Sequence, residues 1–258
     1  MITNNLLRMI LIDKFLKVDR VLCVLAPLVL FSCLQQPLLN RHLFTSIGYY
    51  TGEIGVVDDS IARDYLEIAV LERDTLALMW LARVYSTGRM GFPKDATRAL
   101  SIAKLVIDDV AKRAENGEPE ALFLMGTAYA EALGVTINLQ KSAEFYAKAA
   151  EMNHTLAMHN LGNIFGDGIG VERDLSQALH WWRRAAENGD TIPMLRLAEL
   201  YLSGEGVMKD VTRACCWIKQ SLQRGNSNAE IILQQRFDGE CIETNYKSPV
   251  FHKIVDKI

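Results

Sequence analysis

Residues 155–190 read TLAMHNLGNIFGDGIGVERDLSQALHWWRRAAENGD. Ala157, Leu161, Ile164 and Phe165 recur at helical spacing and mark the buried stripe of a first helix. Gly166, Gly168 and Gly170 then interrupt the pattern. Asp174 opens a second stripe, Ala178, Trp181, Trp182, Ala185 and Ala186, with Gln177 three residues after it as in a capping box. Gly189 closes the second helix, at a position where a left-handed residue is inexpensive. The segment therefore reads as helix, turn, helix, turn.

The same grammar repeats in both directions at a spacing of 36. Tyr129, Phe165, Tyr201 and Phe237 share one rung; Ala121, Ala157 and Pro193 another; Met125, Leu161 and Leu197 a third. Gly126, Gly162 and Ala198 are small where two helices would approach closely, and large aromatics stand where space between layers needs filling. Upstream, Tyr85 precedes Tyr129 by 44 residues, and Asp95 to Gly117 spans 22 residues where Asp174 to Gly189 spans 15. The extra length is thus about two turns of the second helix. A degenerate copy, Tyr50 through Gly55 and Val56 to Asp59, mirrors Phe165 through Gly170 and Val171 to Asp174. Ala229, Leu233 and Phe237 continue the first-helix rungs and then stop, as a terminal cap does. A fixed period of this length predicts an all-α solenoid: about five helix-turn-helix repeats over residues 45–240, a capping helix, and an irregular tail at 241–258.

The N-terminus has a different character. Lys14, Lys17 and Arg20 precede Val21–Leu34, VLCVLAPLVLFSCL, which is free of charge but 14 residues long. A spanning helix needs about 20. A basic flank and a short apolar core have the form of a secretory signal. The run closes on Leu30-Phe31-Ser32-Cys33, which resembles a bacterial lipoprotein signal, although Phe31 is larger than that pattern prefers. The expectation is a signal over 1–32, with Met9 an alternative start, acylation at Cys33 and a tether over 33–44. An uncleaved anchor and a packed terminal helix are the competing readings. Acylation would hold the chain on a membrane face, directed to the periplasm, without a spanning segment.

The quoted segment resembles the Sel-one-like repeat (SLR) family, relatives of the tetratricopeptide solenoids. The residues that carry it are Ala157, Asn160-Leu161-Gly162, Phe165, Gly168, Gly170-Val171 and Asp174, then Ala178, Trp181-Trp182, Ala185-Ala186 and Gly189. The likeness runs well from Ala77 to Phe237 and weakly over 42–74. It implies a right-handed α/α superhelix serving as a protein-interaction adaptor, often on bacterial envelopes, with no catalytic residues and no cofactor.

Other chemistry is weakly supported. The net charge of −3 offers no basic stripe for nucleic acid. Gly166-Asp167-Gly168-Ile169-Gly170 lacks the Lys-Ser/Thr of a phosphate loop, and its glycines read as turn formers. His154 and His159 do not share a helical face, and no cysteine or carboxylate set joins them at metal-ligand spacing. No nucleophile, base and acid stand in a recognised context. Among the cysteines, Cys241 falls where an antiparallel helix end would meet Cys215 or Cys216, so one disulfide there is one reading; Cys215 as a small core residue is the other. First helices should line the concave face. Opposite their core stripes lie Trp80 and Arg83, Leu124 and Thr127, Asn160 and Asn163, and Arg196 and Glu199, expected to meet a protein or peptide partner. Trp80 and Arg196 are the anchors by residue type; the alternative for Trp80 and Leu124 is that they seal neighbouring helices. An envelope adaptor, an immunity protein neutralising a toxic effector, and a cell-wall hydrolase are the functions in competition.

Overall fold

The computed structural model describes residues 39–237. Among them are eleven helices and no strand. Five antiparallel pairs follow one another: α1 (Arg41–Thr51) with α2 (Asp59–Leu71), α3 (Thr75–Thr87) with α4 (Ala96–Glu115), α5 (Pro119–Glu131) with α6 (Leu139–Glu151), α7 (Thr155–Asp167) with α8 (Leu175–Glu187), and α9 (Thr191–Ser203) with α10 (Val211–Gln223). A single helix, α11 (Ser227–Phe237), caps the stack. Each helix packs on its pair-mate and each pair on the next. The chain is an α/α solenoid, as the 36-residue period predicts.

Each pair is closed by the same two contacts. A short polar side chain caps the second helix: Asp58, Asp95, Asn138, Asp174 and Asp210 each accept from the backbone N–H three residues on. The backbone N–H of that same residue then donates to a first-helix carbonyl, of Tyr49, Tyr85, Tyr129, Phe165 and Tyr201 respectively, at 2.8–3.0 Å. In the first pair the capping residue is Asp58 and the carbonyl is that of Tyr49, one residue earlier than the Tyr50–Asp59 register read from the sequence. Side-chain oxygen and backbone N–H must act together, and Asp58 rather than Asp59 has the extended backbone that allows it. α1 also begins at Arg41, so the last four residues of the expected tether are helical.

The small-residue rung has the role its size predicts. A Cβ on Gly126 would lie 2.7 Å from the Tyr146 ring, and one on Gly162 would lie 2.4 Å from Trp182 Cδ1. The aromatic of the second helix occupies the space that the glycine of the first leaves open. Gly168 and Gly170 sit at φ +69° and +72°, which supports their reading as turn formers.

The stack curls until its first pair meets its last. Arg224 Nη1 donates to the Gly52 carbonyl at 2.7 Å, and the Val57 N–H donates to the Arg224 carbonyl at 2.7 Å. The first of these joins residues 172 apart in sequence. The turn after α1 therefore rests on the turns that precede α9 and α11.

Candidate functional site

Packing between adjacent pairs shapes the inner face. Trp80 is wholly buried; its Nε1 donates to Glu120 Oε1 at 2.6 Å, and its ring lies 5.7 Å from Phe123 and 6.0 Å from Tyr50. Leu124 is wholly buried. Thr127 is buried, with its hydroxyl 3.0 Å from that of Tyr146. Arg83 is 4% exposed, its guanidinium carbon 4.6 Å above the Trp80 ring, and its Nε and Nη1 have no hydrogen-bond partner. These four residues were expected on an open concave surface. Neighbouring pairs leave none there: α3 packs on α5 and Tyr50 of α1 lies against Trp80 and Arg83, so these residues seal the inner core.

The C-terminal half of the same face stays accessible. Arg196 and Glu199 are exposed and pair with each other at 3.7 Å. Asn160 is half-buried and lies near the Tyr146 hydroxyl. Asn163 accepts from Trp182 Nε1 through Oδ1 at 2.9 Å, which leaves its amide nitrogen open. Asn163 also lines a partly open cavity of about 600 Å³ bordered by the first pair and helices α7 and α9, with Tyr50, Arg89, His159, Asp190 and Ile192.

A second set of inner-face residues emerges only from the structure. The N-cap positions of α3, α5, α7, α9 and α11 hold Asp74, Glu118, His154, Asp190 and Asn226, 36 apart from Glu118 onward; all but Glu118 accept from a backbone N–H, and Glu118 accepts from Arg113 Nε instead. His154 Nδ1 accepts from the Ala157 N–H, so Nε2 carries the proton and donates to Glu120 Oε2 at 2.9 Å. Asp190 is 2% exposed; Oδ1 accepts from the Ile192 N–H and Oδ2 from His159 Nδ1 at 2.8 Å. That bond fixes the His159 tautomer and turns Nε2 outward as its open nitrogen. The two histidines thus hold structural carboxylates. The sequence signal for the set was available in the 36-residue spacing, but a histidine in a capping position is uncommon and does not announce itself.

Glu53, in the closing turn, reaches this cluster and hydrogen-bonds Thr155. Burial pushes its carboxyl above the ordinary range. The Thr155 bond and His154 oppose the rise, and Asp190 and Glu120 add to it. Arg89 reaches the cavity from the turn after α3 and donates to the Tyr50 hydroxyl.

Cys215 is disulfide-bonded and Cys216 is free, which favours the disulfide reading over the plain core one for Cys215. Cys33 and Cys241 lie outside the described residues.

The repeated pair, its caps and its turn are those of one known family. The model of the Sel1 repeat matches residues 75–104, 119–154, 155–190 and 194–226, more than half of the chain, and the protein belongs to this family. The chain is similar to a Sel1 repeat protein from Oxalobacter formigenes, at 27% identity over 78% of this chain and 75% of that one, with a TM-score of 0.52. It is also similar to a protective antigen of uropathogenic Escherichia coli with an SLR fold, at 28% identity over 75% and 48%, TM-score 0.47. An immunity protein of Pseudomonas aeruginosa aligns at 16% identity over 79% and 90%, TM-score 0.42. The last two superpose too loosely to bear on function. A search of curated proteins found no match. The family model begins at residue 75, so α1 and α2 form a pair of the same construction that it does not reach.

Proposed function

We propose that this protein is an envelope-anchored adaptor that binds a protein or peptide partner on the open half of its inner face. The reading is carried by one observation: the cavity of about 600 Å³ bordered by Asn163, His159, Arg89 and Ile192, beside the exposed Arg196 and Glu199. Its wall mixes apolar surface with three polar groups that hold unspent hydrogen-bonding capacity, the Asn163 amide nitrogen, His159 Nε2 and the Arg89 guanidinium. That combination suits a partner backbone and one inserted side chain. Binding is the chemistry this arrangement supports best.

The test is capture of a partner by the tagged full chain and by two variants. Ile192→Arg fills the cavity mouth and Arg196→Glu reverses an exposed charge. Both should keep native helical content, since each site is at the surface. Loss of the captured partner in either variant supports the reading; retention in both, with folding intact, refutes it. Anchoring is a separate part of the proposal and rests on the Ser32-Cys33 junction. Cys33→Ala should abolish acyl labelling and release the protein from membranes; unchanged membrane partition without label would favour an uncleaved helix.

A further inference from the structure

Gly134, Gly170 and Gly206 occupy equivalent places in the turns of three successive pairs. A Cβ on Gly170 would meet Leu139, the first residue of α6, and one on Gly206 would meet Leu175, the first residue of α8. A Cβ on Gly134 instead meets Ile107 and Ala103, well inside α4. The helix that this turn rests on therefore runs on past its usual starting point. The extra residues, Ala96–Ile102, overhang the α5–α6 turn, and no other pair has such a ledge.

The overhang walls a hollow of about 610 Å³ lined by Leu100, Lys104, Tyr129, Ile137 and Lys141, among others. Leu100 and Ile137 are 38% and 58% exposed, although both are aliphatic. The charged residues on the lining are the two lysines. Lys141 lies 5.3 Å over the Tyr129 ring, and neither lysine is ion-paired among the described residues. A smaller, more apolar hollow of about 470 Å³ adjoins it, sharing Leu100 and Ala132. On a chain of net charge −3, an aliphatic trough carrying two unpaired cations runs against the overall sign.

We propose that this ledge docks an acidic, leucine-bearing segment of a protein partner, at a site separate from the inner cavity. Carboxylates of the segment pair with Lys104 and Lys141, and an aliphatic side chain crosses Leu100 into the adjoining hollow. Complementary charge sets orientation and encounter rate, while the apolar contact slows release. The site does not depend on the inner-face reading, because a different surface and a different probe report on it.

The probe is a fluorescein-labelled hexapeptide, Glu-Leu-Asp-Glu-Leu-Leu, beside its Gln/Asn counterpart, followed by anisotropy with the full chain at low salt. The acidic peptide should bind saturably, the amide version roughly tenfold or more weakly, and the Lys104→Glu, Lys141→Glu double variant should lose roughly tenfold or more in affinity. Ile192→Arg should bind the acidic peptide as the parent does. Equal affinity for the two peptides, unaltered affinity in the double variant with native circular dichroism, or no saturable binding of the acidic peptide would each overturn the proposal. Loss of peptide binding in Ile192→Arg would place the peptide in the inner cavity and overturn it as well.

Discussion

Trp80 has two partners that no single substitution preserves together: a packed ring and a donor bond to Glu120. Trp80→Phe keeps most of the ring and strands a buried carboxylate oxygen, which costs about 1–3 kcal/mol. Trp80→Ala adds a cavity and should cost about 3–5 kcal/mol. Urea denaturation of the two variants separates the terms; a Trp80→Ala variant of parental stability would return this residue to the surface. Glu53 gives a prediction in pH. Its folded pKa lies above the ordinary carboxyl value of 4.5, so the folded state binds more protons than the unfolded state once pH passes that value. Its contribution is therefore fully favourable below about 4.5 and is lost as pH rises through the folded pKa. The facing groups are Thr155, His154, Asp190 and Glu120, with Arg224 alongside. Glu53→Gln should raise the melting temperature at neutral pH and flatten the decline above pH 4.5 in a thermal series; an unchanged slope would show that Glu53 is solvated.

At the scale of the helix pair, one turn glycine tests the whole grammar. Gly170 combines φ +72° with a Cβ site 2.5 Å from Leu139 Cβ. Gly170→Val meets a backbone preference and a collision with the preceding pair, and should cost at least about 2 kcal/mol. A thermal melt suffices to check it. A fully stable variant would mean that the turn can rebuild without left-handed backbone. The pair was the most legible level of this protein. A stripe at helical spacing, a short polar cap and a glycine turn are local properties, and each depends on residues close in sequence. The first pair was read one residue out of register because Asp58 and Asp59 are equivalent as cap types; only the carbonyl of Tyr49 distinguishes them.

At the scale of the molecule, closure is held by few bonds. Arg224 supplies its side chain to Gly52 and its carbonyl to Val57. Arg224→Ala removes the first bond and keeps the second. It should cost about 1–2 kcal/mol and hasten amide exchange selectively in α1 and α2, read by hydrogen-exchange mass spectrometry. Uniform exchange across all pairs would mean that the ends do not act as a latch. Packing between neighbouring pairs also limits where a partner can bind, since Trp80, Arg83, Leu124 and Thr127 are buried and Arg196 and Glu199 stay in solvent.

The sequence alone determined the repeat, its period, the second-helix cap at Asp174, the close-approach rung at Gly126 and Gly162, and the extra turns of α4, because all of these depend on residues within one or two repeats of each other. Which inner-face residues reach solvent was decided elsewhere. Small rotations between successive pairs add up, and their sum brings residue 224 onto residue 52. No local pattern encodes that sum. Trp80 and Arg196 occupy equivalent faces of their own helices, yet the tertiary structure buries the first between Tyr50 of the pair before and Phe123 of the pair after and leaves the second exposed, because the side chains that cover this face come from neighbouring pairs and not from the helix itself.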